Sequence, residues 1–192
     1  MTSMNPMMPD GPTGEFLDAV GTLLTSMATA GGRSVLRPEV STFDAHAPPP
    51  ITMPQYLRRL GEYCTFSEEV YVLALVYVTR RCRRTASVVH PRCVHRLYMI
   101  ALLLAGKYWD DHCCPNGFYS QVAGVPLEEV NHLEVAMLAD LGYDMSFTTG
   151  EVCQFQSEIQ RLNARGLKRS GSFGSSDAST EVPPEELIVD SP

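Results

Sequence analysis

An all-α domain is what this sequence predicts, and three observations carry the prediction. Apolar residues recur at helical spacing in successive stretches between residues 13 and 164. Gly, Pro and Asn separate those stretches, as helix boundaries require. Neither an alternating apolar–polar strand pattern nor an internal repeat is present.

Residues 1–12 are rich in Met, Pro and Gly and are expected to be disordered. Residues 13–30 predict an N-terminal amphipathic helix with Phe16, Leu17, Val20, Leu23, Leu24 and Met27 on one face. Gly31 and Gly32 end it, and residues 31–53 read as a linker whose APPPI segment (47–51) is extended and stiff. The compact part spans 54–147. Pro54 suits a first helical turn, and QYLRRLGEYC continues that helix. Ser67 followed by Glu68 and Glu69 predicts the N-cap and acidic first turn of the next, EEVYVLALVYVTRRCRR.

A third helix of this part follows His90-Pro91, over about 93–110. Val94, Leu97, Tyr98, Ala101, Leu102, Ala105 and Tyr108 form one stripe, and Ile100, Leu103 and Leu104 cover the other side. A helix apolar nearly all round belongs at the centre of its domain. Pro115-Asn116-Gly117 makes a turn, with Asn116 as the expected cap of a short helix ending near Gly124. Pro126, Glu128 and Glu129 open a helix to Leu141 with a predicted buried stripe of Leu127, Val130, Glu134, Met137, Leu138 and Leu141. Thr148 or Thr149 caps a C-terminal helix within 148–165, and 166–192 reads as a polar, serine-bearing disordered tail.

The net charge of −7 argues against a general nucleic-acid binder, which carries a basic footprint. The longest uncharged apolar run, 97–106, is ten residues, whereas a membrane span needs about 20. The N-terminus lacks the basic start and apolar centre of a signal peptide, so an intracellular protein of cytoplasm or nucleus is expected. The six cysteines show no CxxC pair and are expected to be reduced. His112-Cys113-Cys114 lacks a second ligand pair at finger-like spacing, so no metal is expected there.

Two helices each carry one ionisable group where burial is expected: Lys107 late in the first, Glu134 midway along the second. Such a group is costly unless a partner meets it. Taken singly, each has an ordinary explanation. Lys107 sits at a helix C-terminus with Asp110 and Asp111 at i+3 and i+4, a solvated arrangement worth about 0.2–0.5 kcal/mol. Glu134 is readily placed at the edge of an apolar stripe. The arginines at 80, 81, 83 and 84, near Arg92, read as a solvated helix end or as a receiver for a phosphate or acidic segment.

Several signatures occur in order: YLRRL (56–60), SEEVYVLALVYVTR (67–80), VHRL (94–97), AGKYWDD (105–111), GFYSQVAGVPLEEVNHLE (117–134) and LGYDM (141–145). Together they resemble one cyclin box, of the phosphate-signalling PHO type, also called P/U type. The resemblance implies a five-helix box, here with flanking N- and C-terminal helices, that binds and activates a cyclin-dependent kinase. In cyclins a Lys late in the third helix and a Glu in the fifth hold the kinase's αC helix and the loop before it. Lys107 and Glu134 stand at those positions, and Leu104, Tyr108, Leu138, Tyr143 and Met145 match the apolar part of the contact. The resemblance further implies a regulator without catalytic residues or cofactors, in cell-cycle or phosphate signalling. A second box is not expected, because about 45 residues follow the first.

Two departures stand out. MPQYL (53–57) replaces the Met-Arg-x-x-Leu sequence with which many cyclins recruit substrates. Thr79 replaces the Asp that pairs a helix-one arginine in many cyclins, so Arg58 or Arg59, if buried, needs another carboxylate. Two other classes of function draw on the same residues. A cyclin-fold transcription scaffold wants a basic surface that the charge does not provide. A helical metal-dependent phosphohydrolase could use Asp110-Asp111-His112, but His90, His95 and His132 show no acidic partners in obvious register.

Overall fold

A computed structural model describes residues 11–33, 41–110 and 113–170, with the side chains of 166–170 excluded. Seven helices and no strand occur among the described residues: α1 (Gly14–Gly32), α2 (Met53–Tyr63), α3 (Glu68–Arg84), α4 (Val94–Trp109), α5 (Asn116–Ala123), α6 (Leu127–Leu141) and α7 (Thr149–Ser170). Residues 1–10 of the expected N-terminal tail, the serines from Ser172 onward, Asp111 and His112 lie outside the described residues.

Side-chain caps fix the starts of α1, α2 and α7. Thr13 Oγ1 accepts the Phe16 N–H at 3.2 Å to start α1. Thr52 and Gln55 form a reciprocal capping box on α2, each satisfying the other's main-chain N–H. Ser67 precedes α3 but its hydroxyl makes no cap, leaving the acidic first turn to complement the helix dipole. Asn116 is likewise no cap: Pro115 occupies that position, and the Asn116 side chain is spent elsewhere. Thr148 and Glu151 form a second reciprocal box at the head of α7. That helix continues beyond the segment 148–165 expected for it.

The core is built on α3 and α4 together. Every residue of 70–78 and of 94–106 except Arg96 is buried, so α4 shares its central place with α3. These two helices pack most extensively on one another, α6 closes over both, and α5 joins α6 to α2. On the other side, α1 lies across α2 and α7, burying Phe16, Leu17, Val20 and Leu24. At Gly106 the backbone of α4 approaches Phe66 so closely that an added Cβ would stand 2.3 Å from its ring.

The described part of the predicted linker is not loose. Phe43 is fully buried, Ala45 N–H donates to the Arg92 carbonyl at 2.8 Å, and Arg92 Nε returns a bond to the Ala45 carbonyl at 2.9 Å. The arginines at the end of α3 are mostly spent internally, contrary to the expected solvated end or phosphate receiver. Arg80 binds Glu151 and the Ser146 carbonyl, and Arg84 Nε donates to the Asp140 carbonyl. Arg81, buried, meets Asp140 at 2.9 Å, Ser87 and Ser41, with its guanidinium 4.8 Å over the Phe43 ring. By contrast Arg58 and Arg59 are both solvent-exposed, so neither needs the carboxylate that Thr79 displaces, and Arg58 pairs with Asp18 of α1 on the surface.

Candidate functional site

The site forms where the C-terminal end of α4 meets the middle of α6. Lys107 Nζ and Glu134 Oε1 are 2.5 Å apart, so the two residues singled out by type and position are brought together. Their burial is unequal: the Glu134 side chain is 15% exposed and that of Lys107 30%, and Lys107 as a residue is exposed, not buried as predicted. A long stem lets an ammonium reach water from an apolar base, which is why Lys107 tolerates the end of the central helix.

A third residue completes the pair. Asn116, at the start of α5, donates through Nδ2 to Glu134 Oε2 at 2.7 Å and to Asn131 Oδ1 at 2.8 Å. Each Glu134 oxygen therefore has a partner from a different helix, and the carboxylate is fixed in direction. Sequence reading reserved Asn116 for capping and missed this role. Its position 18 residues before Glu134 carries no local signal.

Exposed apolar residues lie next in sequence to Lys107 and Glu134 and just beyond the end of α6. Tyr108 and Trp109 are each 51% exposed, Val135 is 60% and Tyr143 68%. Helical spacing puts Leu127, Asn131, Glu134, Val135 and Leu138 on one face of α6. Leu127 is exposed and Leu138 half-buried, while Leu133, absent from the predicted stripe, is fully buried with Val130, Met137 and Leu141. The buried arc is thus rotated around α6 from the predicted one. Tyr108, expected in the core stripe of α4, also turns outward and packs edge-on against Phe147, as Trp109 does. Leu104, one turn before Tyr108 on α4, is buried.

The chain leaving α6 is held rigidly. Gly142 (φ 65°) and Tyr143 (φ 58°) are both left-handed, and their N–H groups return to Ala139 and Leu138 carbonyls. This reversal projects Tyr143 into solvent at the edge of the face. Met145, half-buried, is anchored by its carbonyl, which accepts the Tyr77 hydroxyl at 2.8 Å. Burial pushes the Tyr77 phenol well above its ordinary range, so it remains a donor at all physiological pH values.

No helix among the described residues is long and apolar enough to cross a membrane. His90, for which no acidic partner was expected, stands 3.0 Å from Asp44. The six cysteines are free; Cys64 and Cys93 are buried.

Comparison with known proteins agrees with the architecture. The cyclin family's sequence profile matches residues 20–145. The chain is similar to Cyclin-U4-2 of Arabidopsis thaliana, with 31% identity over 64% of this chain and 57% of the relative. It is similar to Cyclin-U3-1 of the same plant, at 34% over 67% of this chain and 58% of the relative. Cyclin-P4-1 of Oryza sativa subsp. japonica is 34% identical over 63% of this chain and 58% of its own length. The chain therefore spans somewhat under three fifths of these curated relatives.

Proposed function

This chain belongs to the cyclin family, of the P/U type, and from that premise we propose that it is a non-catalytic regulatory subunit that binds and activates a cyclin-dependent kinase. The observation that carries the reading is the Lys107–Glu134 pair set in an exposed apolar face on two rigid helices. In the free chain the pair satisfies itself, so neither charge is left without a partner. Lys107 uses one of its three N–H donors on Glu134, and each Glu134 oxygen retains acceptor capacity.

A docked helix end has complementary needs. The first turn of a helix leaves main-chain N–H groups without partners and carries partial positive charge. Glu134 is the acceptor for such a terminus, and Lys107 is the donor for carbonyls of the loop before it. Tyr108, Trp109, Val135, Leu138 and Tyr143 then supply the apolar burial, with Leu104 and Met145 supporting them from beneath. Kinase activity depends on an ion pair made by αC, so the position of αC controls it. A face that fits αC only in the inward state shifts the kinase toward activity by its differential affinity.

The test is co-purification followed by reconstitution. The tagged chain is expressed with candidate cyclin-dependent kinases, and the phosphorylation rate of a purified kinase is measured with and without it. Stable binding with a rate rise of tenfold or more is expected; no kinase bound, or one bound with an unchanged rate, contradicts the proposal.

A further inference from the structure

We propose that Asp44, His90 and Cys93 form a site for a divalent transition metal, with Zn2+ the best match, at the join of α3 and α4. Their ligand atoms, a carboxylate oxygen, an imidazole nitrogen and a thiol sulfur, all lie within 4.8 Å of one another. The side chains come from two separate segments of chain. His90 and Cys93 flank the turn into α4, and Asp44 reaches them from the segment that precedes α2.

The arrangement differs from an ordinary His–Asp pair in one respect. Asp44 Oδ1 is 3.0 Å from His90 Nε2, yet it makes no hydrogen bond. The two atoms face each other without the alignment that sharing a proton requires. The Asp44 side chain is only 7% exposed, so this oxygen, in ion-pair range of the ring but not hydrogen-bonded to it, has little access to water. A buried carboxylate oxygen held without an aligned donor is poised to accept a cation placed between it and the ring nitrogen. Asp44 Oδ2 is already occupied by the Ser41 N–H at 3.3 Å, which orients the carboxylate.

Chemistry selects the class of ion. One carboxylate, one thiolate and one neutral imidazole carry two negative charges, matching a divalent cation. A mixed O, N, S set is typical of tetrahedral zinc, at about 2.0–2.3 Å from each ligand, and leaves the fourth position for water. The Cys93 thiol now donates to the His90 carbonyl at 3.4 Å and accepts the His90 N–H at 3.2 Å. Burial pushes this thiol up to about 11, so at neutral pH it keeps its proton until a cation displaces it to solvent. The bound ion would clip the Phe43–Ala45 segment to the core, alongside the existing Ala45–Arg92 bonds.

The probe is Co2+, titrated into the reduced, chelator-stripped full chain. One equivalent is expected to bind with a thiolate-to-cobalt charge-transfer band and the strong visible absorption of four-coordination, both displaced by Zn2+. The thermal midpoint of the protein should rise with Zn2+ concentration. Cys93→Ser should abolish the charge-transfer band, while Cys113→Ser and Cys114→Ser leave it intact. Asp44→Asn keeps the shape of the site and should weaken binding at least about tenfold, the least expected for loss of a ligand. Circular dichroism checks that each variant folds. If Cys93→Ser does not fold, Asp44→Asn and the wild-type spectrum decide. Absence of saturable binding, a band unchanged in Cys93→Ser, or an affinity unchanged in Asp44→Asn overturns the proposal and leaves a plain ion pair.

Discussion

Replacing Glu134 with alanine separates the stability of the box from the docking role proposed for it, and the structure sets the magnitude. Exposed ion pairs contribute about 0.2–1 kcal/mol, whereas breaking a buried pair costs about 3–5 kcal/mol. The Lys107–Glu134 pair lies between, with side chains 30% and 15% exposed. Without Glu134 the ammonium can swing into water, so no buried charge is stranded. Asn116 Nδ2 keeps its bond to Asn131 Oδ1, so no donor is orphaned either. The expected loss is therefore about 1–2 kcal/mol. With a urea slope of about 2 kcal/mol/M, the unfolding midpoint should fall by about 0.5–1 M at constant slope. Urea melts followed by far-ultraviolet circular dichroism measure this directly. A fall under about 0.2 M would show that the pair is fully solvated. One above about 2 M would make the pair an element of the core and not a surface free to dock a partner.

Other outcomes follow from the same structure. Tyr143→Ala should leave stability within about 0.5 kcal/mol, since the ring is 68% exposed, yet reduce kinase activation at least about tenfold; equal activation would refute its place at the interface. Gly106→Ala forces a Cβ to within 2.3 Å of the Phe66 ring, and overpacking of this kind should cost about 1–3 kcal/mol in a thermal melt. Glu151 is held below its ordinary value of 4.5, first by the Thr148 N–H and then by Arg80. A carboxylate depressed on folding adds stability that is complete above its unfolded value and is lost as pH falls through the folded one. Unfolding curves of the wild type should accordingly lose more stability below pH 4.5 than those of Glu151→Gln; parallel losses would contradict the assignment.

The helices were largely legible because periodicity and punctuation act locally. Glu68–Arg84 was read to the residue and Val94–Trp109 to within one at each end. Burial on α6 was not. Leu127, Val135 and Leu138 are apolar yet not buried, so they blur the periodicity that picks out Leu133. Tyr108 was assigned to the core for that reason. Long-range polar contacts left no trace in the sequence: Arg58 finds Asp18 across 40 residues, Arg81 finds Asp140 across 59 and Asn116 finds Glu134 across 18. Lys107 and Glu134 were found because an ionisable residue in an apolar helix is conspicuous wherever its partner lies.

The most direct test of the central claim is a calorimetric titration of a purified cyclin-dependent kinase with the wild-type chain and with Lys107→Ala, Glu134→Ala and the double variant. A loss of affinity of at least about tenfold is expected for each single variant, in proteins whose circular dichroism shows them folded. Wild-type affinity in the folded double variant would contradict it.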